Sequence, residues 1–144
     1  MKYVVGPAAS IPPGTSLVIY PEPEPAGIGV FNIDGTFFAL RNSCPHMGAP
    51  LCKGYVSGTT EAHLDGRKPP LVESVRDGEI LACPWHHWEF DIATGRTIFP
   101  SKNRVRRYDV TVEESSEVLE RLEKGVQTFP VSVDGDEATV VVEI

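Results

Sequence analysis

The chain is short of cysteine, of positive charge and of long apolar runs, and each shortage removes a class of protein. Its 3 cysteines are an odd count, too few for a disulfide framework. In a reducing compartment, Cys and His at defined spacings more often mean metal binding or catalysis. No stretch is long and apolar enough to span a bilayer, and the start, MKYVVGPAASIPPG, lacks the apolar core of a secretory signal. A cytoplasmic location with no membrane partner is therefore expected. Lys and Arg number 13 against 20 Asp and Glu, a formal net charge of -7, and because phosphate contacts need a basic surface this argues against nucleic acid as a partner. The basic cluster Arg104, Arg106 and Arg107, in NRVRRYDV, reads as a solvated strand edge. An internal repeat, a phosphate-cradling glycine loop and a Ser-His-Asp or Cys-His nucleophile arrangement are all missing.

What is present is the material of one compact domain with many turns. The 144 residues are 41% hydrophobic and 23% charged, with 13 Pro and 13 Gly, which suits a single globular unit over 1–144. Asp-Gly pairs recur at 34/35, 65/66, 77/78 and 134/135. The first, third and fourth are flanked by apolar or alternating segments, the strongest short-range hairpin signal. GIGVFNIDGTFFALRN, LVESVRDGEILAC and PVSVDGDEATVVVEI therefore read as three hairpins, and the architecture as all-β. PEPEP at 21–25 reads as an extended loop, since proline cannot donate to a ladder. SSEVLERLEKG carries Val118, Leu119 and Leu122 at helical spacing behind Ser115 and Ser116 and before Gly125, so one short helix is expected near the C-terminus. GYVSGTTEAHLDGRKPP, at 54–70, has no clear period and reads as a long excursion.

The chemistry concentrates in two stretches, NSCPHMGAPLC at 42–52 and CPWHHWEF at 83–90, which hold the 3 cysteines and all but one of the 4 histidines. Each follows a predicted strand, so each is a turn hung on a rigid hairpin, able to hold ligands at fixed separation. The first has C-x-H, Cys44 and His46; the second has C-x-x-H, Cys83 and His86, with His87 directly after. Two thiolates and two imidazoles can hold a tetrahedral zinc, or a [2Fe-2S] cluster in which the cysteines bind one iron and the histidines the other. Zinc ligands normally come from tighter C-x-x-C knuckles, which are absent here, and a binuclear cluster suits two loops that each give one thiolate and one imidazole. Gly48, Ala49 and Pro50 would let backbone pack closely on such a cluster.

CPHMGAPL followed by CPWHHWEFDIATG resembles the two boxes of the Rieske [2Fe-2S] family, C-x-H-x-G-A-x-L and C-P-x-H-x-x-x-F-D-x-x-T-G. Besides the four candidate ligands the match takes in Gly48, Ala49, Leu51, Phe90, Asp91, Thr94 and Gly95. The flanks IGVFNIDGTFFALRNSCPH and TFPVSVDGDEATVVVEI are similar to the strand pair before the first box and to the closing hairpin. The gap from His46 to Cys83 is longer than in typical soluble members, so 53–78 reads as an insertion, with His63 an exposed loop residue inside it.

The resemblance implies a Rieske-type antiparallel β-sandwich or barrel, with a cluster-binding subdomain over about 42–99. It implies one [2Fe-2S] cluster per chain, bound by Cys44 and Cys83 on one iron and His46 and His86 on the other. His87 falls where family members often carry glycine. High-potential members have a serine and a tyrosine hydroxyl donating to the cluster sulfurs; Trp88 and Phe90 stand there, which implies a potential toward the low end of the range. Those members also have a loop disulfide, whose positions are Trp85 and Ala49 here, leaving Cys52 as a small packed side chain. Trp85 sits between two ligands and is expected to cover the cluster; Phe99-Pro100 forms either a third wall or a simple turn. The implied role is electron transfer, by a soluble ferredoxin delivering electrons from a reductase to an oxygenase or related enzyme, without catalysis of its own. Outside the ligands only His63 and His87 remain, so no mononuclear iron site is offered. The alternatives are a small Rieske subunit bound permanently to a reductase or oxygenase, and a non-redox zinc module.

Overall fold

The computed structural model describes residues 2–114, 116–118, 120 and 138–144. Antiparallel strands dominate it. β1 (Lys2–Pro7), β2 (Ser16–Ile19), β3 (Ile28–Ile33), β4 (Thr36–Arg41), β8 (Arg107–Glu114) and β9 (Ala138–Glu143) form a 6-stranded sheet in the order β1-β9-β8-β4-β3-β2. β5 (Tyr55–His63), β6 (Leu71–Ala82) and β7 (Glu89–Asp91) form a separate 3-stranded sheet in chain order.

The first hairpin is the one expected, and its turn has a clear cause. Asp34 and Gly35 take φ 50° and 92°, the paired positive angles that match the twist of flanking strands. The Gly35 amide donates to the Asn32 side chain at 2.8 Å, and the Asn32 side-chain amide in turn donates to the Ile11 carbonyl at 2.7 Å. Register then assigns faces. Ile28, Val30 and Ala39 point into one core with Tyr108, Val140 and Val142, while Phe31 and Leu40 point into another with Cys44, Leu51, Leu81, Cys83 and Phe90. β3 and β4 are thus a wall shared by two cores, one structural and one containing both loop cysteines. Each fully buried Ile, Leu or Phe in these cores contributes about 1.5–3 kcal/mol of transfer free energy.

β8 closes the sandwich by changing partners. Arg107 and Tyr108 pair with Leu40 and Ala39 of β4, whereas Asp109 to Glu114 pair with β9, which also pairs with β1. The antiparallel sandwich implied by the sequence is the observed architecture.

The second hairpin differs from expectation. Leu71–Ala82 is one continuous strand, and its partner is β5, inside the segment read as a structureless excursion. The turn lies around Asp65-Gly66, while Asp77-Gly78 makes a bulge: Thr59 pairs with Val75 and Ser57 with Ile80, so Arg76 to Glu79 face the single residue Gly58. Arg76 and Gly78 adopt φ 57° and 82° there, and the Ser74 hydroxyl donates to the Asp77 carboxylate at 2.8 Å. The physical reason is exposure. From Thr59 outward this ribbon has water on both faces, so its strands need no apolar alternation and leave no periodic trace. His63 is on β5, with Nε2 2.9 Å from the Glu73 carboxylate, and is not a loop residue.

Ser116–Val118 and Glu120 are helical and Val118 is buried; the rest of the expected helix, and the first half of the expected closing hairpin with its Asp134-Gly135 turn, lie outside the described residues. PEPEP is a loop as expected, but Glu24 within it is 5% exposed, accepting from Arg41 Nε at 3.0 Å and from the Tyr108 hydroxyl. Among the described residues no helix is long and apolar enough to cross a membrane.

Candidate metal centre

Both candidate ligand loops leave the ends of strands, Arg41 of β4 and Ala82 of β6, and fold alike. In the first, the Cys44 amide donates to the Ala49 carbonyl at 2.9 Å and the Gly48 amide donates back to the Cys44 carbonyl at 2.7 Å. In the second, the Cys83 amide donates to the Trp88 carbonyl at 2.8 Å and the His87 amide to the Cys83 carbonyl at 3.0 Å. The same two bonds at the same offsets therefore shape two loops of unlike sequence.

The shared geometry separates the two adjacent histidines. Gly48 closes its turn at φ 75° and His87 closes the equivalent turn at φ 58°. This is left-handed backbone that glycine enters freely and a side chain enters at a cost of about 1–2 kcal/mol. His87 thus occupies the turn-closing position, its ring 6.3 Å from that of Tyr55 at the start of β5. The histidine that meets the first loop is His86, whose ring centroid lies 4.8 Å from that of His46, at an interplanar angle of 76°.

The thiols also come together. Cys44 and Cys83 are 2% and 1% exposed, in one core cluster. Burial pushes the Cys44 thiol up, with the neighbouring Cys83 sulfur adding to the rise and the His46 amide opposing it. The four donors are thus two pairs, a buried pair of sulfurs and an exposed pair of imidazoles. Among the described residues, no three His, Cys, Asp or Glu side chains gather around one metal position. Two soft donors on one side and two imidazoles on the other fit a binuclear iron-sulfur group with one pair per iron.

The surroundings hold the loops in place. Asn42 accepts from the Cys52 amide at 2.8 Å and donates to the Ala26 carbonyl at 3.2 Å, tying the first loop to the 3-10 turn Leu51–Lys53 and to the segment before β3. Phe90 and Leu51 are fully buried beneath the cysteines. In the second box, Asp91 accepts from the Ala93 amide at 3.0 Å and from Arg76 Nη2 at 2.8 Å. Cys52 is the packed side chain expected: it is 5% exposed, and a Cβ at Gly29 would lie 2.5 Å from its sulfur. Burial pushes its thiol up to about 12, partly offset by the Gly29 amide.

The aromatic cover differs from expectation. Trp85 is 55% exposed at the turn apex, and it is Trp88 that stacks on His46, with centroids 4.3 Å apart and planes 9° from parallel. The left-handed His87 turns the chain back between the two tryptophans, which is why the second and not the first faces the site. Phe99 packs edge-on against Trp88 at 5.2 Å, so this segment is a wall of the site. Sequence reasoning left Asn42 and Arg76 unnamed, and neither lies in a pattern that would have signalled it.

Comparison with known proteins finds one family and a set of ferredoxins. The family model of the Rieske [2Fe-2S] domain matches residues 1–109. The ferredoxin subunit of 3-phenylpropionate/cinnamic acid dioxygenase from Shigella boydii serotype 4 is 28% identical over 110 residues, 76% of this chain and 83% of that protein. Among solved structures, the ferredoxin of Sphingomonas yanoikuyae B1 is 31% identical, with a TM-score of 0.57 over 79% of this chain and 92% of that one. The ferredoxin of carbazole 1,9a-dioxygenase from Nocardioides aromaticivorans IC177 shares the fold at 21% identity, with a TM-score of 0.57 over 97% of this chain and 96% of that one.

Proposed function

The chain belongs to the Rieske [2Fe-2S] domain family, and we propose that it is a ferredoxin that carries single electrons from a reductase to a terminal oxygenase. Cys44 and Cys83 would hold one iron of a single [2Fe-2S] cluster, and His46 and His86 the other. The observation that carries this reading is the pairing of two buried thiols with two exposed imidazoles on loops of identical hydrogen-bond pattern. The similarity to the ferredoxin subunit of 3-phenylpropionate/cinnamic acid dioxygenase supports the choice of partner.

When bound, the cluster supplies a one-electron couple at the surface of an otherwise unreactive β domain. The protein's own residues do the rest. Thiols must shed their protons to become ligands, so loading at Cys44 works against a burial that favours its neutral thiol. Leu51, Phe90 and Ile92 exclude water from the sulfur side. His46 and His86 are exposed, so an approaching partner meets the imidazoles first. Trp88 and Phe90 have no hydroxyl to donate toward the cluster sulfurs, which supports a potential at the low end of the Rieske range, roughly -150 mV.

One domain spans 1–144, with 42–99 as a cluster-binding subdomain and 53–78 inserted in it as the protruding ribbon. The location is cytoplasmic, where the free thiols stay reduced until loaded.

The test is transfer itself: the chemically reduced protein is mixed anaerobically with an oxidised terminal oxygenase, and its visible absorbance is followed. Reoxidation within the mixing experiment by a separable, monomeric protein supports the carrier role. Elution only in a permanent complex with a reductase or oxygenase supports the bound-subunit alternative instead. A colourless preparation containing zinc would refute both.

A further inference from the structure

In this acidic chain, the arginines outside ion pairs among the described residues are gathered in one place. A cavity of about 690 Å³ is lined by Thr94, Arg96, Arg104, Val105, Arg106 and Arg107. A smaller one of about 290 Å³ adjoins it, sharing Arg96 and Arg104 and adding Lys102. Among the described residues, no carboxylate lines either cavity. The ion pairs among the described residues use Lys2, Arg41, His63, Arg67 and Arg76, and none involves the groove cations.

The groove is built on fixed backbone. Arg96 and Arg104 face each other across a β-bridge, the Arg96 carbonyl accepts from the Asp91 amide at 2.7 Å, and the Arg106 carbonyl accepts from the Arg41 amide at 2.9 Å. Arg106 is further held over the Tyr108 ring, 4.9 Å from its centroid. Like charges held this close repel one another, and an anion seated among them removes that repulsion.

We propose that this groove docks a carboxylate-bearing segment of an acidic redox partner, a role that rests on the carrier function above. Five cations along two adjoining cavities exceed what one phosphate group neutralises, and they suit a chain that presents successive Asp or Glu side chains. Guanidinium forks bind carboxylates in bidentate pairs. With a net charge of -7 over the whole chain, the rest of the surface repels an acidic partner, so the groove fixes the orientation of approach more than it adds affinity. Val105, which lines the groove, is buried in the same core cluster as Cys44 and Cys83. A segment seated there lies against the core that also holds both cysteines, and neither His46 nor His86 is among the described residues lining the groove.

The test uses the purified, cluster-bearing protein and a fluorescently labelled hexaglutamate peptide, with anisotropy read at low and physiological salt. Saturable binding that weakens with salt and falls roughly tenfold or more in Arg96→Gln/Arg104→Gln supports the proposal; Arg104→Gln alone gives the same direction if the double variant does not fold. No binding, or binding unchanged in the variants, overturns it. Displacement of the peptide by inorganic pyrophosphate at lower concentration than the peptide needs also overturns it, in favour of a small phosphate ligand. The visible spectrum of the same samples keeps the two readings apart: peptide binding by protein without a Rieske spectrum fails the carrier role alone, and a full spectrum without peptide binding fails the groove alone.

Discussion

The His46 and Trp88 rings lie 4.3 Å apart and nearly parallel, so indole shelters one face of a predicted iron ligand that is otherwise exposed, as its neighbour His86 is. Trp88→Ala removes that shelter. The reduced cluster carries one more negative charge than the oxidised, and water admitted beside His46 stabilises it. The midpoint potential should rise by tens of millivolts, about 59 mV corresponding to ~1.4 kcal/mol for one electron. Protein-film voltammetry of the two proteins checks this, and an unchanged or lowered potential would count against a sheltering role.

The strained turn at His87 gives a second expectation. His87→Gly relieves a φ of 58° and should raise stability by up to about 1 kcal/mol, read as a higher denaturation midpoint with the visible spectrum retained. His87→Ala keeps both spectrum and strain, whereas His86→Ala loses the Rieske spectrum. Loss of the spectrum in His87→Ala alone would reverse the two roles.

Glu24 and Tyr108 pin the proline-rich loop to β8. Tyr108→Phe deletes the hydroxyl donor to a buried carboxylate and should cost about 1.5–3 kcal/mol in chemical denaturation. Burial, with Glu24 adding to it, pushes the Tyr108 hydroxyl up to about 12. A raised folded value means this group's stabilisation is full below its unfolded value of about 10 and is lost as pH climbs through about 12. Wild type should therefore lose stability more steeply than Tyr108→Phe over that alkaline window; parallel curves would show that the hydroxyl is not held as described.

Cys52 packs against Gly29 and the Leu40 carbonyl, with its sulfur 3.5 Å from that oxygen. Cys52→Ala should keep the Rieske spectrum, while Cys44→Ala and Cys83→Ala lose it. With its thiol raised to about 12, Cys52 should resist thiol reagents near pH 8 until the protein unfolds. Rapid labelling in the folded state would contradict its burial.

How far these features could be read in advance depended on whether a residue's job left a local pattern. The ligand chemistry did: Cys44, His46, Cys83 and His86 fall in short boxes, because two turns must each present one thiol and one imidazole. The β3–β4 hairpin did too, since its strands carry apolar residues on both faces around Asp34-Gly35. The β5–β6 ribbon did not, because exposure on both faces removes the alternation, and so Asp77-Gly78 passed for a turn when it is a bulge. The equivalence of Gly48 and His87 was present as an offset of four from each cysteine but needed the two loops to be seen folding alike. Arg96 joins Arg104, Arg106 and Arg107 through a β-bridge, and Glu24 finds Tyr108 at a sequence separation of 84 residues. Contacts of that range leave no trace in a linear reading.

Electron paramagnetic resonance of the dithionite-reduced protein is the most direct test of the four-ligand cluster. Two cysteines on one iron and two histidines on the other predict a rhombic signal with an average g below the free-electron value, present in wild type and absent in His86→Ala. A protein loaded with iron and sulfide that lacks this signal, or a His86→Ala variant that keeps it, would contradict the assignment of Cys44, His46, Cys83 and His86 as its ligands.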